Sequence, residues 1–148
     1  KYKPDAVFVD GNGPGGGVVD VLKSWGYRPV EVQAGGSPND KDKYVNKRVE
    51  MWALGREWLH TGSIPDSATL HDDLIGPEYT YHPTTNKMVL ESKEDMLKRG
   101  IASPDEAEAL FLTFAKPIAR NDTNVGRNAG RRNRVAIGTD YDILGKTS

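Results

Sequence analysis

The side chains with the most chemical potential in this chain are three acids: Asp10, Asp105 and Glu108. Asp10 ends the apolar run "AVFV" and stands before the glycine-rich "GNGPGGG". A carboxylate in that place cannot stay ionised in a dry core, so it must be solvated or hold a cation. Asp105 lies in "SPDEAEALFLTFA", and Glu108 follows three residues later, so the two are neighbours on one helix face. Hard divalent ions such as Mg²⁺ and Mn²⁺ take oxygen ligands and often only one or two protein carboxylates each. Acids gathered from distant positions onto such ions would make a hydrolytic metal site. Each residue also has a plainer use. Asp10 can begin a turn, and Asp105 can stabilise a helix N-terminus through the macrodipole.

The glycines admit a different chemistry. Gly11, Gly13 and Gly16 match G-x-G-x-x-G between a strand and a helix, and Glu31 lies downstream. On paper this is a dinucleotide-binding turn. Asp10 would then repel the pyrophosphate, and Glu31 sits inside its strand pattern, not at its end. No Gly-Lys-Ser/Thr follows, so a phosphate-binding P-loop fits worse. A nucleotide- or dinucleotide-binding α/β domain is thus one alternative, a non-catalytic DNA- or protein-binding module another. Asp72 and Asp73 in "LHDDLI" read as an exposed helix face. His60, His71 and His82 lack zinc-ligand spacing. Trp25, Trp52 and Trp58 read as core.

These residues need elements to hold them. "AVFV" reads as a buried strand, Val18, Val19, Leu22 and Trp25 as a helix stopped by Gly26, and "RPVEVQAGG" as a second strand. Strand, helix and strand in so few residues form a βαβ unit with parallel strands. Residues 44–60 form the longest helix, with Val45, Val49, Trp52 and Ala53 facing inward. A short helix falls near 67–74, and "EYTYHPTTNKMVLE" reads as two strands around a turn. Ser92 caps a helix closed by Gly100. In "SPDEAEALFLTFA", Ser103 is the N-cap, Pro104 the first helical residue and Glu106 the far side of a capping box. Ala107, Leu110, Phe111 and Phe114 make its buried stripe.

The chain has 148 residues, 36% of them hydrophobic and 28% charged, which suits one globular domain with a real core. It has no cysteine, so disulfides and thiolate metal sites are excluded. No apolar run is long enough to span a bilayer. The net charge of −1 is uneven: from Lys116 onward seven basic residues face three acids, leaving +4 there and −5 on the rest. A basic tail on an acidic body suits an anionic partner such as nucleic acid, or simply solubility. The chain starts with Lys1, close to its first strand, and is expected to be a piece whose natural N-terminal part is missing.

Three stretches taken together, "DAVFVDGNGPGGGVVDVLKSWG", "YVNKRVEMWALGREWLHTGSIP" and "VLESKEDMLKRGIASPDEAEALFLTFA", resemble the C-terminal nuclease domain of the large terminase subunit of tailed bacteriophages. The resemblance implies an α/β, ribonuclease H-like fold: a mixed sheet flanked by helices, here without its N-terminal strands. It divides the chain into a nuclease domain over 1–117 and a basic, flexible tail over 118–148. It implies a metal-dependent DNA endonuclease of the viral packaging motor, cutting concatemeric DNA with two Mg²⁺ or Mn²⁺ ions. Asp10 and Asp105 match catalytic, metal-binding acids; Glu108 matches a nearby acid of less fixed role. Glu91, Lys93 and Arg99 fall in the recurrent "ESK…KRG" stretch as DNA-facing or supporting groups. Arg131 and Arg132 of the tail could add DNA contacts. Implied partners are double-stranded DNA, the preceding ATPase domain, the portal protein and the small terminase subunit, in the host bacterial cytoplasm and with no membrane. The family's first catalytic aspartate lies on an earlier strand that this chain does not contain, so little cleavage is expected from the chain alone.

Overall fold

The computed structural model describes residues 4–118; Arg131, Arg132 and nearly all of the expected tail lie outside them. The elements run β1 (Phe8–Asp10), α1 (Gly15–Ser24), β2 (Val30–Val32), α2 (Lys47–Leu59), α3 (Ala68–Ile75), β3 (Tyr79–Tyr81), β4 (Met88–Leu90), α4 (Lys93–Lys98) and α5 (Asp105–Leu112). Among the described residues no helix is long and apolar enough to cross a membrane.

The expected βαβ unit is present. β1 and β2 are parallel, with Phe8, Val9 and Asp10 opposite Val30, Glu31 and Val32. The crossover helix α1 ends at Gly26, whose φ of +83° suits a residue without a Cβ. The second pair, β3 and β4, is antiparallel, so the strands fall in two separate two-stranded sheets. An isolated bridge from Tyr44 to Met88 ties the loop before α2 to β4.

The core lies between the β1–β2 pair and helices α2, α3 and α5. Val32, Met51, Trp52, Leu70, Ala107, Phe111 and Ala115 form one buried cluster. Trp52 and Phe111 meet edge to face at 4.8 Å, fixing α2 against α5. Their close approach depends on Gly55, where a Cβ would lie 2.1 Å from the Phe111 ring.

Four sequence expectations need correction. Asn46 is the N-cap of α2, its side chain accepting from the Val49 amide, so Val45 lies before the helix and is 37% exposed. Trp25 is 70% exposed at the end of α1 and not core. Helix α5 begins at Asp105 with Pro104 as N-cap, and Ser103 makes no capping bond to the backbone. The cap comes from elsewhere. Asp73 of α3, expected on an exposed face, accepts the amides of Glu106 at 2.8 Å and Ala107 at 3.4 Å.

Candidate active site

Asp10 stands at the C-terminal end of a parallel strand, the edge where α/β sheets leave room for ligands. Its Oδ1 accepts from the Asn12 backbone N–H at 3.1 Å and from Asn12 Nδ2 at 2.9 Å. The carboxylate therefore does start the turn. It is also exposed and faces a cavity. Gly15 sits directly behind, where a Cβ would come within 1.7 Å of the Asp10 carbonyl oxygen. At this position glycine serves the packing of α1 onto the end of β1. Gly11, Gly13 and Gly16 do not line this cavity.

The cavity has a volume of about 390 Å³. Its charged lining comes from four elements: Asp10 from β1, Arg48 from α2, Lys93 from α4, and Asp105 with Glu108 from α5. Phe8, Trp52, Phe111 and Leu112 supply apolar wall. Asp10 and Asp105, ninety-five positions apart in sequence, thus share one water-accessible space. The parallel strand pair delivers the first, and the Asp73-capped end of α5 delivers the second.

The three acids differ in what holds them. Asp105 has a side chain 81% exposed; Ser103 Oγ donates to its Oδ1 at 2.6 Å, and Lys93 Nζ lies 3.8 Å away. Glu108 is only 21% exposed and has a cation on each oxygen. Arg48 Nε reaches Oε1 at 2.7 Å, and Lys93 Nζ reaches Oε2 at 2.6 Å. Among the described residues no group of three His, Asp or Glu side chains is gathered to hold a metal ion. The expected set of Asp10, Asp105 and Glu108 is therefore not drawn together as one ligand cluster, and Glu108 is paired with two cations. Asp10 and Asp105 remain as hard oxygen donors that fit a divalent ion keeping several of its waters.

Two residues of the "ESK…KRG" stretch, Glu91 and Arg99, bond to each other. Arg99 donates to Glu91 through Nε at 2.8 Å and Nη2 at 2.5 Å, pairs with Glu78 at 3.1 Å, and donates to the Gly76 carbonyl at 2.9 Å. Glu91 in turn accepts from the Glu78 amide at 3.2 Å. The Arg99 guanidinium holds the Glu91 carboxyl below the usual glutamate value. This clamp fixes the strand end from which α4 presents Lys93. Lys93 itself lines the cavity with its side chain 48% exposed. Sequence reasoning missed Arg48 altogether. Its one signal was an arginine one residue before Val49, the first buried apolar residue inside α2, too common a pattern to stand out.

No protein-family model and no curated protein matches the chain. Solved structures do. One is the nuclease domain of the large terminase subunit gp2 of bacterial virus Sf6, a lysine-to-alanine variant with manganese: TM-score 0.58, 19% identity, covering 76% of this chain and 66% of that one. The same domain with manganese and beta-thujaplicinol gives a TM-score of 0.56 at 19% identity, covering 78% of this chain and 66% of that one. The chain thus spans about two thirds of the domain it matches. At this identity the likeness speaks for architecture, and with the parallel βαβ unit and flanking helices it establishes that the chain has the ribonuclease H-like α/β fold of a phage large-terminase nuclease domain.

Proposed function

We propose that the chain is the nuclease part of a phage DNA-packaging motor, a metal-dependent endonuclease acting on double-stranded DNA. The observation that carries this reading is the meeting of Asp10 and Asp105 in one cavity. The likeness to a terminase nuclease domain with manganese supports it. Asp10 and Asp105 would hold Mg²⁺ or Mn²⁺, and bound divalent ions supply an activated water and charge stabilisation for phosphodiester hydrolysis. Lys93, beside Asp105, offers a cation to the phosphate. Arg131 and Arg132 add sequence-independent phosphate contacts from the tail. The ATPase domain, the portal and the small terminase subunit are the partners this reading names.

Acids that share a cavity repel one another, and cation binding relieves the repulsion. Mn²⁺ should therefore raise the melting temperature of the wild-type chain, and Asp10→Asn should abolish that rise while melting no lower than wild type without metal. A wild-type melting temperature indifferent to Mn²⁺ and Mg²⁺ rejects the metal site.

A further inference from the structure

Arg48 has no part in the function proposed above, yet it is the most enclosed cation of the cavity. Its side chain is 16% exposed. Nε donates to Glu108 Oε1 at 2.7 Å and Nη1 to the Glu91 carbonyl at 2.8 Å. Cζ lies 6.0 Å from the centroid of the Trp52 ring, and the buried Nη2 has no hydrogen-bond partner among the described residues. A guanidinium so held cannot swing out to DNA. It joins α2, the residue before the α4 cap, and α5 at a single point.

An ionised carboxylate only accepts, and both oxygens of Glu108 are occupied, one by Arg48 and one by Lys93. Without Arg48, Oε1 would be an anionic oxygen on the cavity wall next to Asp105. Without Glu108, nothing among the described residues shorter than the 3.8 Å contact to Asp105 would fix the Lys93 ammonium. We propose that Arg48 is a positioning residue: it withdraws Glu108 from the acids open to a cation and, through Glu108, holds the Lys93 ammonium beside Asp105. The inference rests on the divalent-ion reading of the cavity, but its first test needs no metal.

That test is the side-chain ¹⁵N–¹H signal of the Lys93 ammonium in the metal-free chain. A lysine held in a short ion pair gives a protected signal; a solvated one exchanges too fast to be seen. The signal should be present in wild type and lost in both Arg48→Met and Glu108→Gln. Arg48→Lys keeps the charge but cannot bond Glu108 and the Glu91 carbonyl as a fork does, so it should weaken the signal. If Arg48 only braces the fold, Arg48→Met will melt lower but keep the Lys93 signal, and the proposal is overturned. Should Arg48→Met not fold, Arg48→Lys decides: a Lys93 signal undiminished there overturns the proposal equally. The second test is Mn²⁺ titration. Arg48→Met should bind Mn²⁺ about threefold tighter or more, and adding Glu108→Gln should remove that gain. No Mn²⁺ binding by any variant, with the Lys93 signal lost in Arg48→Met, would reject the metal reading while the positioning role stands.

Discussion

Lys47 and Glu50 form the most buried ion pair described, with side chains 9% and 3% exposed and 2.5 Å between Nζ and Oε2. Glu50 also accepts the amides of Asn39 and Asp40, which turns the polar loop before α2 back onto the helix. Removing one member of such a pair leaves an uncompensated buried charge, so Lys47→Met should cost about 3–5 kcal/mol in urea unfolding. Burial pushes the Glu50 carboxyl up, but the Lys47 ammonium and the two amides outweigh it, and the group ends below its ordinary value of 4.5. A depressed folded value gives stability that is complete above 4.5 and is lost as pH falls through the folded value. Stability measured from pH 6 downward should therefore fall less steeply in Glu50→Gln than in wild type as pH drops from 4.5 to the folded value. Asp10 and Asp105 were legible at this scale because each stands at a boundary that the sequence marks, one between an apolar run and glycines, the other after Ser-Pro. The pairing of Glu108 with Arg48 was not legible. Sixty residues separate them, and nothing local in either stretch reports the other.

Helix α5 carries two of the three cavity acids, and its N-terminus shows how far an element can be read. Ser-Pro-x-Glu spacing announces a helix start, and the helix does begin there. The spacing also announces a capping box, which the structure replaces with the carboxylate of Asp73. A cap from another helix leaves no trace in the local sequence; Asp73 in isolation looks like any exposed acid. Losing a capping carboxylate costs about 0.5–2 kcal/mol, so Asp73→Ala should lower stability by that amount and Asp73→Asn by less. Because the capped turn also sets Asp105, Asp73→Ala should weaken Mn²⁺ binding as well. At the other face of α5, Gly55 of α2 is packed against Phe111. Gly55→Ala must displace a ring that is 1% exposed, and overpacking of this kind costs about 1–3 kcal/mol. The βαβ unit, α3, the β3–β4 hairpin and the Ser92 cap were all readable from period and punctuation, since those features are local. The division of the strands into two sheets was not, because pairing is decided by tertiary packing.

Across the whole molecule, charge and architecture point the same way. The body carries −5 and the segment from Lys116 carries +4. An acidic body binds DNA poorly unless cations and the basic segment offset its charge. Removing residues 118–148 should therefore weaken binding to duplex DNA and flatten its salt dependence by about 0.9 in logarithmic slope for each phosphate that the segment neutralises. An unchanged slope would take Arg131 and Arg132 out of the interface. Such binding bears on recognition, whereas the proposed metal site is tested at the cavity. The most direct measurement is a double-mutant cycle of Mn²⁺ affinity by calorimetry on Asp10→Asn, Asp105→Asn and the pair. If one ion lies between the two carboxylates, each single change removes most of the binding and the double variant is little worse than either. Full Mn²⁺ affinity in either single variant, or effects that simply add, would contradict a shared site.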